Sequence, residues 1–119
     1  MNVHLVFVPS VDGTPETTGR AAGLAAAADA YLGDGFLDKL PAMGIAISGS
    51  ARPLLAESEV TDDPIVNLGR YNALVGAAVR EGVESRAYPV LLGGTCSHLI
   101  GMISGVQQAY GAVHGARIG

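Results

Sequence analysis

Short, unbroken apolar runs alternate along this chain with longer stretches in which apolar residues recur every three to four positions. The first run, Val3 to Val8, predicts a buried strand, since it offers no polar face to solvent. Pro9 to Gly19 follows, a turn-rich stretch with Asp12-Gly13 and Thr14-Pro15 that is long for a strand-to-helix connection. It reads equally as a lid, a binding loop or a plain connection. From about Arg20 to Leu32 the chain is Ala-rich, and Leu24, Ala28, Tyr31 and Leu32 fall at helical spacing. Phe36 to Met43 predicts a further stretch of helix closed by Gly44. Ile45 to Ser48 predicts a short strand. Residues 49 to 66 read as a polar loop holding Pro53, Pro64 and the acidic stretch Glu57 to Asp63, with Asp62 and Asp63 solvated. Asn67 is the candidate cap of the next helix, whose Leu68, Tyr71, Leu74, Val75, Ala78 and Val79 form one apolar stripe. Gly82 would end it in a left-handed conformation. Tyr88 to Leu92 is the second clear strand. The final helix, from about Ser97 to Tyr110, places Leu99, Ile100, Ile103, Val106 and Tyr110 on one face. Ala116-Arg117-Ile118 reads as the opening of a strand that the chain does not complete.

Strands alternating with helical stripes predict an α/β fold, a three-layer αβα arrangement around a mainly parallel sheet. The length of 119 residues bounds this to one domain or part of one. Hydrophobic residues at 49% exclude a disordered chain. Charged residues at 15%, against about 25% in an average soluble domain, leave little charge to cover the surface, so more of it is expected to face protein. A net charge of -4 excludes the electrostatic footprint of a nucleic-acid or anionic-membrane binder. The start MNVHLVFVPS lacks the basic region of a signal peptide, and no apolar run reaches the length of a membrane span. The single cysteine excludes an internal disulfide, and a cytoplasmic protein is expected.

Candidate chemistry concentrates in Pro89-Val-Leu-Leu-Gly-Gly-Thr-Cys-Ser-His-Leu-Ile-Gly101, where a buried strand runs into two glycines, small polar residues and a helix. Ligands of open parallel sheets bind at the carboxyl ends of strands, where such turns sit. Gly93 and Gly94 permit backbone geometry that a Cβ forbids. Thr95, Cys96, Ser97 and His98 lie at or near a helix N-terminus, where the dipole favours anions. Cys96 reads as a half-buried turn residue, a metal ligand or neighbour of one, or a nucleophile. His98 reads as a first-turn residue with a local hydrogen bond or as lining a site. His4 and His114 have nothing converging on them, and no His-x-x-x-His or Cys-x-x-Cys spacing occurs.

This segment resembles the Gly-Gly-Asp-His-Ser motif of the arginase, agmatinase and formiminoglutamase superfamily, the ureohydrolases. Thr95 stands at the Asp position, Cys96 at that of the metal-binding His, and Ser97 matches the Ser. The likeness continues through Leu99-Ile100-Gly101, Gly105 and Tyr110-Gly111, and covers about residues 64 to 119. It implies an N-terminal portion, residues 1–119, of a single ureohydrolase-like domain. When complete, such a protein would hydrolyse linear C–N bonds of small guanidino or amidino substrates at a centre of two manganese ions. Gly93, Gly94, Thr95, Ser97 and His98 would line that site, and Cys96 would stand at the family's ligand position. The remaining ligands, from an Asp-Ala-His-x-Asp strand and a later Asp-x-Asp strand, are absent from this sequence. The chain alone is therefore not expected to bind manganese. Its expected partner is the C-terminal half of the same fold or a second copy. Two further readings are a non-catalytic ureohydrolase-like subunit and an unrelated small α/β protein binding an anion at the Gly93 to Ser97 turn.

Overall fold

The computed structural model describes residues 1–11 and 20–114. Strands β1 (Asn2–Phe7), β2 (Ala46–Ala51) and β3 (Tyr88–Leu92) form a parallel sheet in the order β2-β1-β3. Four α-helices accompany them: α1 (Arg20–Gly33), α2 (Phe36–Lys39), α3 (Pro64–Glu84) and α4 (Leu99–His114). The largely apolar sequence of β1, with His4 its one buried polar residue, follows from its central place, because both of its faces are covered. On one face Val6 and Val8 pack with Tyr71, Val75 and Val79 of α3, and Met102 and Val106 of α4 close the cluster. On the other, Val3, Leu5 and Phe7 pack with Ala28 of α1 and Leu92 of β3, with Phe36 and Leu37 of α2 alongside. Alternation along β1 thus builds two cores and the three-layer αβα arrangement expected of the sequence.

Small residues set how closely α3 and α4 cross. A Cβ on Gly101 would lie 2.5 Å from the backbone oxygen of Asn72, and one on Gly105 would lie 2.9 Å from Val79 Cβ and closer still to the Gly76 carbonyl. The two helix backbones touch where side chains would otherwise hold them apart.

Several expected boundaries move. Helix α3 begins at Pro64, capped by Asp63, whose carboxylate accepts from the backbone N–H groups of Ile65 at 2.8 Å and Val66 at 3.4 Å. Asp63 is therefore a structural cap, and Asn67 is a buried helical residue whose Oδ1 accepts from the Thr61 N–H. Gly82 lies inside α3; its missing Cβ makes room for His4, whose Cβ would be 2.8 Å away. The left-handed residue after α3 is Arg86, at φ 61°, with the Arg86 and Ala87 N–H groups donating to the carbonyls of Val83 and Gly82. Strand β2 runs on through Ser48-Gly49-Ser50 to Ala51, where a loop was expected. It is an edge strand with a register shift opposite Val3/His4, and Ser48 Oγ donates to the Val3 carbonyl across it. Residues 36 to 43 split into α2 and a 3-10 turn at Pro41–Met43, closed by Gly44 as expected. The stripe of α4 is turned: Gly101, Gly105 and Ala109 are buried, whereas Leu99, Ile100, Ile103 and Tyr110 are exposed. In α1, Ala28 is buried while Tyr31 and Leu32 face outward. Most of the Pro9–Gly19 stretch and the Ala116–Ile118 segment lie outside the described residues.

Candidate functional site

The connections leaving β1 and β3 diverge. The chain after β1 goes to α1 on one face of the sheet, and the chain after β3 goes to α4 on the other. Neighbouring strands whose connections part in this way open a crevice at their carboxyl ends, the position where α/β sheets bind ligands. Here that position is taken by Val8-Pro9-Ser10 and the Gly93-Gly94 turn, whose backbones pack closely against each other.

Both glycines are needed there. Gly93 has φ 88° and Gly94 φ 73°, in the left-handed region that side chains disfavour. A Cβ on Gly94 would also lie 2.8 Å from the Val8 carbonyl oxygen and 3.0 Å from that of Ser10. The turn is held from α1 by the Gly94 N–H, which donates to the Leu24 carbonyl at 3.3 Å. Thr95, buried, then caps the following 3-10 turn Cys96–His98: its Oγ1 accepts from the Ser97 N–H at 3.2 Å, and its carbonyl accepts from the His98 N–H at 3.2 Å.

The four polar residues of this turn part company. Cys96 is exposed and Ser97 half-buried. His98 is only 1% exposed, and its ring lies against the Tyr71 ring at a centroid distance of 5.0 Å and an interplanar angle of 47°. Tyr71 in turn donates its hydroxyl to the Pro53 carbonyl. His98 is thus directed into the α3-side core, while Cys96 remains on the surface.

Asn72, which no motif singles out, fixes where α4 starts. Its Nδ2 donates to the Ser97 carbonyl at 3.3 Å, and its Oδ1 accepts from the Gly101 N–H at 2.9 Å. One side chain from α3 therefore satisfies a turn carbonyl and one of the orphan N–H groups of the first turn of α4. The only signal available beforehand was a polar residue beside the apolar stripe of a long helix.

The donor set does not fit a pair of manganese ions. Cys96 offers one soft thiolate, whereas manganese prefers carboxylate, water and imidazole. His98 is packed in the core, and among the described residues no three His, Cys, Asp or Glu side chains cluster as metal ligands would. A cavity of about 690 Å³ lies elsewhere, against α1 and α2, lined by Ala27, Tyr31, Phe36 and Lys39 among others.

No family model and no curated protein matches the sequence. Solved structures do. Two crystal structures of arginase from Bacillus subtilis superpose with TM-scores of 0.68 and 0.70, at 18% and 20% identity, each over 91% of this chain. The fold is arginase-like. The chain spans about a third of those arginases, 34% and 36% of their length, and at such identity the likeness is one of backbone fold. Within this arginase-like fold, the Gly93–His98 turn occupies the carboxyl end of a strand at the crevice between divergent connections. Among the described residues no helix is long and apolar enough to cross a membrane.

Proposed function

We propose that residues 1–119 form the N-terminal part of a cytoplasmic ureohydrolase-like domain. The complete protein would hydrolyse linear C–N bonds of small guanidino or amidino compounds. The observation that carries this reading is the conjunction of an arginase-like fold with a Gly-Gly-Thr-Cys-Ser turn at the crevice between β1 and β3. The contribution assigned to this chain is positional: Gly93 and Gly94 bring backbone close to the crevice, Thr95 and Asn72 fix the turn, and Cys96 presents a thiol at its surface. Gly93, Gly94, Thr95 and Ser97 remain the proposed surroundings of the site, whereas His98, expected among them, is packed against Tyr71 in the core and supports the turn from behind. The two manganese ions that such hydrolases use would need their ligands from the remainder of the fold, since the described residues do not supply them. Cys96 in the family's His position favours a second reading, a non-catalytic subunit of the same fold.

The test uses the complete gene product, with release of urea from arginine or agmatine, or of formamide from formiminoglutamate, as the readout, with and without manganese. Manganese-dependent turnover supports the hydrolase. Its absence in the wild type, together with its appearance in Cys96→His, supports the non-catalytic reading, because imidazole suits first-row divalent ions where thiolate favours zinc and copper(I). The isolated 119-residue chain is expected to bind no manganese tightly by calorimetry.

A further inference from the structure

His4 is the one polar residue in the buried run of β1, only 4% exposed. Its ring occupies a slot that two glycines leave open. A Cβ on Gly82 of α3 would lie 2.8 Å from His4 Cβ and 2.9 Å from Cγ, and one on Gly49 of β2 would lie 2.8 Å from Nδ1 and 3.3 Å from Cε1. The register of β2 serves the same fit. Val3 pairs with Ile47 but His4 with Gly49, so the extra residue, Ser48, brings the glycine opposite the ring. Ser48 Oγ holds this bulge by donating to the Val3 carbonyl at 3.1 Å. Glycine is unfavourable inside helices and strands, and a smaller apolar residue at position 4 would need neither of these two.

The ring is buried without polar company. Its Nε2 has no hydrogen-bond partner among the described residues, and it belongs to neither ion pair found there. β2 carries no titratable side chain. On α3 the charged residues nearest Gly82 are Arg80, Glu81 and Glu84, all exposed, and Arg80 and Glu84 pair with each other at 2.7 Å. Arg86, in the turn after the helix, is exposed as well. On β3 the residue opposite His4 is Pro89, beside the exposed Tyr88. Residues 87–116, which include α4, hold no Asp, Glu, Lys or Arg. Along β1 the nearest charge is the Met1 ammonium, which donates to the Gly44 carbonyl at 3.2 Å. None of these groups supplies a carboxylate to the ring. An imidazolium carries a second N–H and a full charge, and burial without an acceptor or counter-ion penalises both.

The weakest cover over the ring is β2. α3 is anchored by the fully buried Val75 and Val79, whereas β2 is an edge strand with no buried residue, paired on one side only. Both ends of β2 are tied. The Ala46 N–H donates to the Met1 carbonyl at 2.9 Å, and beyond Ala51 the Arg52–Asp29 ion pair and the Tyr71 hydroxyl on the Pro53 carbonyl hold the chain. Between these ties lies the bulged segment Ser48–Ala51. Lifting it breaks only a few hydrogen bonds and lets water reach the ring. An imidazole in water takes up a proton at about pH 6.5. The open state, with its ring solvated, binds that proton more readily than the closed one. Opening therefore gains as pH falls through this range, by at most about tenfold per pH unit for one proton, and is unaffected above it.

We propose that His4 is a pH-sensitive latch on the edge strand: with its ring neutral β2 stays paired, and with its ring protonated Ser48–Ala51 lifts from β1 while β1 and β3 remain joined. Backbone-amide hydrogen exchange of the full chain tests this, read as protection factors at about pH 7.5 and about pH 5.5, on either side of the ordinary imidazole range. Between the two, protection within Ser48–Ala51 is expected to fall about fivefold to tenfold, while the Val79 and Leu92 amides change less than about threefold. His4→Phe and His4→Gln, neither of which titrates, should each abolish the fall. The His4 ring resonances of the unsubstituted protein give a second measure that needs no variant, since the ring should take up its proton in step with the loss of β2 protection. Unchanged protection in β2 overturns the latch, as does protonation of the ring with β2 still protected. A fall shared equally by Val79 is global acid unfolding and overturns it too, and a fall retained in both variants assigns the effect to another group.

Discussion

Replacing Gly105 by alanine puts a methyl group where α3 and α4 meet backbone to backbone. The added Cβ would lie 2.9 Å from Val79 Cβ and inside the contact distance of the Gly76 carbonyl oxygen. A carbonyl in the middle of a helix cannot swing aside as a long side chain can. Relief therefore requires α4 to move out by roughly an ångström, which loosens Met102 and Val106 from the cluster formed with Val6, Val8 and Val75. Overpacking of this kind costs about 1–3 kcal/mol. Against it stands the gain of alanine over glycine in a helix, about 0.5–1 kcal/mol. The overlap with fixed backbone places the cost at the upper end of its range, so the net expectation is a loss of about 1–2 kcal/mol. Gly69→Ala in α3 is the control. A Cβ there meets nothing within 4 Å, so only the propensity remains and the variant should gain about 0.5–1 kcal/mol. Urea unfolding followed by circular dichroism measures both. A Gly105→Ala protein as stable as the parent would refute the close crossing, and so the packing that positions α4.

Asn72→Ala should cost about 1–2 kcal/mol, by removing an acceptor from the Gly101 N–H and a donor from the Ser97 carbonyl; faster hydrogen exchange at Gly101 than at Ala109 would locate the damage at the start of α4. Asp63→Ala removes the α3 cap and should cost about 1 kcal/mol in the same unfolding assay, whereas Asp62→Ala should be neutral. Asp29 is held below its ordinary pKa of 3.8 by its hydrogen bond from Arg52 and the charge of that guanidinium. Because the folded-state value is the lower one, the stabilisation from the pair is present above the ordinary value and fades as pH falls through the folded-state value. An NMR titration of the Asp29 carboxyl should therefore move upward in Arg52→Gln; an unchanged titration would show that the pair does not form in solution.

How far the sequence carried depends on what each element packs against. β1 was legible because burial on both faces leaves His4 its only buried polar residue, and the Gly93-Gly94 turn because positive φ and close approach leave glycine as the fitting residue. β3 was legible from its apolar run, but only Leu92 is buried and Tyr88 is exposed, because β3 is an edge strand and not the buried one expected. β2 was half hidden: Ser48-Gly49-Ser50 has no apolar signal, and it is a strand because its backbone pairs with β1. The start of α3 was misplaced by four residues because Asn67, a good capping residue in isolation, is instead buried against Thr61, while Asp63 precedes a proline at the first helical position. The stripe of α4 failed for a different reason. Its large residues were assumed to mark the core face, but the tight crossing with α3 selects Gly101, Gly105 and Ala109 for that face. His98 and Asn72 belong to neither pattern; their roles come from contacts between α3 and the turn that are distant in sequence.

The rotation of α4 links these observations. A helix whose large aliphatic residues faced the core would leave a small-residue stripe outside, which water covers at little cost. Here the small residues are consumed by the contact with α3, so Leu99, Ile100 and Ile103 are left on the surface. Nothing in the packing of the described residues requires aliphatic side chains at those positions, and polar residues there would keep the α3 crossing intact. The same crossing sets the start of α4 through Asn72, which also binds the Ser97 carbonyl of the turn that carries the exposed Cys96. One close helix contact thus fixes both the turn at the carboxyl end of β3 and which face of α4 is exposed. A variant that opens the crossing, such as Gly105→Ala, should disturb the turn as well as the core, accelerating hydrogen exchange at Ser97 and Gly101 along with the loss of stability; exchange at these two amides unchanged in a destabilised Gly105→Ala protein would refute the link between crossing and turn.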